Sequence, residues 1–398
     1  MKRNEIRRLP YIAAAVLLAA TLPAWAMKDV NVAQYGARGN EHRDDTAAIQ
    51  KALDEVMAAG GGRVFFPQGD YIITAPLKVK APNSVTKSTE IRLALEGHGA
   101  GLSRLMLKDG DGLIHIQTPR NGMNVTVRDL SLMAGNPDAG TALSIVNPAL
   151  GVRVERSALI ERVTIEGIYR DSYFTKGIVL DGQWRALVRN VTVKGAQTES
   201  MDDESAMFAM KTGIEQNGFY GGRYVDCFVS HADTAYSWVA EQNGEGFVII
   251  GSVADCCRVG AIISTPEQEP GGALYNSRIR ARDSGLIIDH KRLLAVVGNT
   301  FEPLSEHGGY PYADVRMSNC WAIQINGNRF IGPAKNRAHV VVEGRGESKR
   351  YVIMPFSRYI QINDNEFVLP PEKAVAYEGE EIFAVYTDNN RVQGGGKK

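Results

Sequence analysis

The nine residues Ala322-Ile-Gln-Ile-Asn-Gly-Asn-Arg-Phe330 return thirty-seven positions later as Tyr359-Ile-Gln-Ile-Asn-Asp-Asn-Glu-Phe367. Two copies this alike are a structural repeat, and a repeat of this kind buries its apolar face only against neighbours above and below it. Read as strand, each copy sends Ile323, Ile325 and Phe330, or their counterparts, inward. Asn328 and Asn365 fall at matching turn positions, where they specify the stack and do no chemistry.

The same signal recurs upstream and downstream. Val127-Arg-Asp-Leu-Ser-Leu132, Ile160-Glu-Arg-Val-Thr-Ile165, Val188-Arg-Asn-Val-Thr-Val193, Tyr224-Val-Asp-Cys-Phe-Val229, Leu274-Tyr-Asn-Ser-Arg-Ile279, Val296-Val-Gly-Asn-Thr-Phe301 and Thr387-Asp-Asn-Asn-Arg-Val392 each place apolar residues about a turn residue. Most intervals run from about 22 to 37 residues, the solenoid range. With a further rung near Ile249 to Ala254, roughly ten coils are expected between residues 85 and 392.

The chain opens differently. Lys2, Arg3, Arg7 and Arg8 precede an apolar run from Tyr11 to Leu22 and a small-residue site, Ala24-Trp25-Ala26. Residues 1–26 therefore read as a cleavable secretory signal, since a run of about twelve residues is short of the roughly twenty that cross a bilayer. No later stretch is apolar enough to span. The expected location is periplasmic or secreted. Without the signal, 41 basic residues face 44 acidic ones, a net charge of −3, and nucleic acid is not an expected partner because phosphate binding needs a clustered basic surface.

Next comes Tyr35-Gly-Ala-Arg-Gly39, then Asp44-Asp-Thr-Ala-Ala-Ile-Gln50, then Gly62-Arg-Val-Phe-Phe-Pro-Gln-Gly-Asp-Tyr71. Asp45 or Thr46 is a suitable N-cap, and Ile49, Ala52, Leu53, Val56 and Met57 follow at helical spacing until Gly60-Gly61-Gly62. In order, spacing and residue type this segment resembles the opening of the pectate-lyase-like superfamily, which includes polygalacturonase-related proteins and tailspike depolymerases. The resemblance implies an all-β fold: a right-handed, single-stranded parallel β-helix with an N-terminal capping α-helix. The expected organisation is a β-helix domain over residues 27–393, with 27–80 as cap, and a disordered tail at 394–398.

A second strand follows each rung, and in the family that sheet, with the loops beside it, carries the substrate groove. Aligning these strands on a small residue (Gly177, Gly213, Ala235, Gly260, Gly285, then Asp314) stacks Thr175, Lys211, Asp233, Arg258, Asp283 and Tyr312 in one column. Asp233 and Asp283 would stand two rungs of about 4.8 Å apart. That suits the separation of about 6.5 to 9.5 Å of an inverting glycosidase, while Asp283 and Asp314 could share a proton as a general acid. The alternating signs of Lys211, Asp233, Arg258 and Asp283 equally describe a structural salt-bridge ladder. Asp233, Asp283 and Asp314 are the catalytic candidates.

Substrate-binding candidates are Lys211, Arg258, the alternating Arg278, Arg280 and Arg282, His290 and Tyr312. Three guanidiniums on one side of a strand suit carboxylates, although a solvated rim with acidic neighbours gives the same pattern. Tyr236 and Trp238 register with inward residues and read as core. No metal site is assigned and no cofactor is firmly implied, although Asp202-Asp203-Glu204 could bind Ca²⁺. Cys227, Cys256, Cys257 and Cys320 form no CxxC pair, so zinc is not expected; a Cys227–Cys256 disulfide and buried free thiols remain alternatives.

Gly97-His98-Gly99 matches a polygalacturonase motif in composition but lies in the first coil, ahead of any acid pair, and reads as a turn. A bacterial exopolysaccharide therefore fits better than pectin. The reading is an exported enzyme acting on an acidic polysaccharide, with hydrolysis slightly favoured over lyase or C5-epimerase chemistry. A non-catalytic carbohydrate-binding or matrix scaffold is the alternative from another class. Oligomeric state is left open.

Overall fold

The computed structural model describes residues 27–81, 91–119, 122–148, 157–197, 204–218, 220–240, 244–304, 313–332, 338–344, 357–368, 374–379 and 382–393. The signal segment, Tyr312, Asp202, Asp203 and the tail fall outside these. Among the described residues no helix is long and apolar enough to cross a membrane.

The chain is a parallel β-helix. Each coil carries three strands, one more than the sequence pattern suggests, because each repeated hexapeptide is two short strands meeting at a corner. In the coil at 295–318 these are Ala295–Val297, Thr300–Pro303 and Ala313–Ser318. In-register parallel pairing connects eleven successive first-sheet strands from Arg92–Gly97 to Ile382–Asp388, where roughly ten were expected. Two further strands, Lys28–Asn31 and Gly62–Phe66, extend that sheet at its start.

The corner between first and second sheets requires a left-handed residue, which is why Asn, Asp and Gly recur there. Asn190, Asp226, Asn276, Gly327, Asp364 and Asn389 all have φ between 47° and 64°. The residue just after this corner points inward. It changes from apolar (Leu130, Val163, Val191) through Cys227, Ser252 and Ser277 to Asn299, Asn328, Asn365 and Asn390. Asn328 Oδ1 accepts from the Asn299 backbone N–H and Nδ2, both at 2.9 Å. Its own Nδ2 donates to Val296 O at 2.9 Å and Asn365 Oδ1 at 3.1 Å. These asparagines thus supply polar partners that a turning backbone would otherwise leave unmet.

The helix spans Thr46–Ala58 and buries Ile49, Ala52, Leu53, Val56 and Met57, as its spacing predicts. It closes the N-terminal end of the stack against Lys28–Asn31, Gly62–Phe66 and Leu77–Lys80. Asp45 occupies the N-cap position but makes no side-chain cap bond. Its carboxylate instead accepts from the Arg38 and Gly39 backbone N–H groups, while Asp44 accepts from Thr46 N at 2.9 Å.

Inside, aromatics stack between coils: Phe330 lies 5.3 Å from Phe301 and 5.1 Å from Phe367. Tyr236 and Trp238 are fully buried, as expected. All four cysteines are free and buried. No disulfide joins Cys227 to Cys256: Cys227 Sγ contacts Val188 O and Val225 O, and Cys256 lies beside Arg280.

Candidate functional site

The column inferred from sequence has the register expected. Pairing of Thr234 with Val259 and of Val259 with Ser284 sets Asp233, Arg258 and Asp283 side by side on the outer face of the third sheet. They form the ladder. Arg258 donates through Nε and Nη2 to Asp233, the latter at 2.7 Å, and through Nη1 to Asp283 at 3.1 Å. Arg282 Nε also donates to Asp283 at 2.8 Å, with its guanidinium 5.0 Å from the Phe208 ring centroid. Asp233, first, and then Asp283 raise the Arg258 pKa further above its already high value. Lys211 is exposed and has no carboxylate partner among the described residues.

Asp314 departs from the expectation. It is fully buried and bonded to Nδ1 of the equally buried His339. The cause lies in the alignment itself: Gly177, Gly213, Ala235, Gly260 and Gly285 are all buried, so the residue continuing their column points inward. Asp314 therefore cannot share a proton with Asp283 on the outer face or meet a polymer. His339, its partner on the next coil, stacks 5.5 Å from Phe367, and its Nε2 has no hydrogen-bond partner.

Arg278, Arg280 and Arg282 do alternate outward along one strand, with Ile279 and Ala281 buried between them. Each meets a carboxylate: Glu302, Asp255 and Asp283 respectively. His290 is buried, its Nδ1 2.9 Å from Asp289, at the far end of the same strand. Burial alone would raise the Asp289 pKa, but bonds from His290 and Ser318 hold it below the usual carboxylate range. Tyr312 lies outside the described residues, as do Asp202 and Asp203 of the possible Ca²⁺ loop. Among the described residues no group of three His, Cys, Asp or Glu side chains could hold a metal ion.

A residue the sequence reading passed over sits at the corner between second and third sheets. His231 occupies a left-handed position, φ 56°, two residues before Asp233. Its pKa is lowered, chiefly by burial; Asp255 opposes this, and the charges of Arg280 and Lys194 add to it. Its buried Nδ1 has no hydrogen-bond partner. On the neighbouring sheet Lys194 and Asp255 stand in register on either side of Ser230, the residue before it; Lys194 is paired with Glu166, and Asp255 with Arg280 of the coil beyond. A half-buried imidazole beside Lys194 and the Asp255–Arg280 pair can take a proton while a negative charge develops beside it. The available sequence signal was a bulky residue at a turn position, immediately before a charged column.

The family described as rhamnogalacturonase A/epimerase, pectate lyase-like, matches residues 29–202. Mannuronan C5-epimerase AlgE4 of Azotobacter vinelandii is 33% identical over 146 residues, which is 34% of this chain and 26% of that protein. Alginate lyase 7 of the same organism is 31% identical over 115 residues, 28% of this chain and 13% of its own length. The matches thus span about a quarter or less of these relatives. The solved A-module of AlgE4 superposes with a TM-score of 0.64 at 19% identity, covering 92% of this chain and 97% of the module.

Proposed function

We propose that this chain, whose residues 29–202 match the rhamnogalacturonase A/epimerase, pectate lyase-like family and whose fold is that of the AlgE4 A-module, modifies an acidic polysaccharide at C5 of a uronate residue. The observation that carries this reading is His231, a half-buried imidazole whose pKa is lowered by burial and by the nearby charges of Arg280 and Lys194. Lys194 and Arg280 would exchange Glu166 and Asp255 for the uronate carboxylate. His231 would then take the C5 proton, and the electron pair of the broken C–H bond would delocalise into that carboxylate. Returning a proton to the opposite face of C5 gives epimerisation; expelling the 4-linked oxygen, with a proton, gives a C4–C5 double bond and a cut chain.

Similarity to proteins named mannuronan C5-epimerase and alginate lyase supports the same chemistry. Hydrolysis by Asp233 and Asp283 is less supported, because both carboxylates are held by Arg258 and Asp314 is buried. We further propose that residues 1–26 direct export to where such polymers lie.

The test is incubation of the full chain with polymannuronate in heavy water. Deuterium at C5 without unsaturation identifies an epimerase, and unsaturated ends, whose C5 carries no hydrogen, identify a lyase. New reducing ends without either overturn the C5 reading in favour of hydrolysis; no change at all overturns catalysis on this polymer. His231→Gln should slow exchange by about 10² or more.

A further inference from the structure

Six arginines of the middle and C-terminal coils, Arg258, Arg278, Arg280, Arg282, Arg316 and Arg329, each pair with a carboxylate. Arg292 and Arg358 do not, among the described residues. Nε of Arg292 is buried without a hydrogen-bond partner. The Arg358 guanidinium lies 4.4 Å from the centroid of the Tyr359 ring and donates to its hydroxyl.

These two cations belong to one column at the edge where the third sheet turns into the first. Arg292 bridges Trp321, Trp321 bridges Arg358, and Arg358 pairs with Phe383, all in parallel register. Cation and aromatic alternate coil by coil. Phe383 is 50% exposed and Tyr359 39%. Three residues further along each coil, exposed Gln324, Gln361 and Tyr386 stand in register.

We propose that this stripe is a binding site for an acidic polysaccharide lying along the axis of the β-helix, on a different edge from His231. Coils repeat at about 4.8 Å, close to the advance of one sugar along an extended hexuronate chain. In a two-fold extended chain every second carboxylate faces the same way, so cations on alternate coils meet alternate carboxylates. The coils between offer Trp321 and Phe383 as faces for the intervening sugar rings. Carboxylates find guanidiniums with no internal carboxylate to displace among the described residues, and the amides of Gln324 and Gln361 face the hydroxyls. The inference rests on the reading that the polymer is acidic, and gives that polymer its path across the C-terminal coils.

The test is affinity electrophoresis of the full chain through gels containing polymannuronate, polygalacturonate or neutral dextran. The wild type should be retarded by an acidic polymer, less so at high salt, and not by dextran. Arg358→Gln with Phe383→Ala should weaken binding about tenfold. Arg329→Gln, which removes an arginine already paired with Glu366, should bind as wild type. Thermal melts verify folding, and Phe383→Ala alone, at a half-exposed side chain, should still weaken binding severalfold should the double variant unfold. Undiminished retardation of these variants overturns the stripe and leaves the C5 chemistry standing. A wild type retarded by no acidic polymer overturns the stripe and the acidic substrate together. Stripe-dependent binding with neither C5 exchange nor unsaturation upholds the stripe and overturns only the chemistry.

Discussion

Replacing Asn328 by alanine tests the asparagine ladder directly. The side chain is buried and makes four bonds: its oxygen takes the Asn299 backbone N–H and Nδ2, and its nitrogen supplies Val296 O and Asn365 Oδ1. Truncation leaves two donors on Asn299 and one carbonyl on Val296 unpartnered, while Asn365 Oδ1 keeps the Asn328 backbone N–H at 2.9 Å. At about 1 to 3 kcal/mol for each buried group left unmet, and with partial relaxation, the loss should be about 3 to 5 kcal/mol. Asn390, at the outer end of the ladder, is only partly buried, and Asn390→Ala should cost about 1 kcal/mol. Guanidinium unfolding of both variants beside the wild type measures this. The reasoning fails if Asn328→Ala lies within about 1 kcal/mol of wild type, or if Asn390→Ala is equally costly.

Lys291 is fully buried with its ammonium on Gly244 O, and burial pushes its pKa down to about 8 from 10.5. The unfolded chain therefore binds the proton more tightly, so stability should rise as pH climbs from about 8 to 10.5. Lys291→Met should flatten that rise, which amounts to about 3 kcal/mol; an unchanged pH profile would refute the assignment. Burial likewise pushes the Cys227, Cys257 and Cys320 thiols up to about 12. Ellman's reagent at pH 8 should leave the native chain unmodified and titrate four thiols after unfolding without reductant; fewer than four would reveal a disulfide.

The stack was legible because its cause is local. Alternating apolar residues around an Asn, Asp or Gly corner mark a coil, and in-register pairing then fixes neighbours such as Lys211, Asp233, Arg258 and Asp283. The second sheet was not separable from the first, since one hexapeptide hides the left-handed corner, as at Asp226, that splits it in two. Asp314 was misassigned for a related reason: its column was recognised by small residues, and smallness there meant inward. His231 escaped notice because its significance depends on burial and on Lys194 and Arg280, which arrive from other coils. Trp321 and Arg358 lie thirty-seven residues apart, like the two copies of the opening repeat, but the alternation of their column appears only once four coils are stacked.

The inward glycines have a consequence for how such a chain can change. A side chain at Gly213 would collide with Val229, and one at Gly285 with Phe301, and in both cases the obstructing residue belongs to the following coil. Each coil is thus fitted to its successor as well as to the general plan. Coils that look interchangeable in sequence therefore cannot be shuffled singly. Lengthening or shortening this scaffold should proceed by moving matched neighbours together, with the coils of Asp314 and His339 as an inseparable pair.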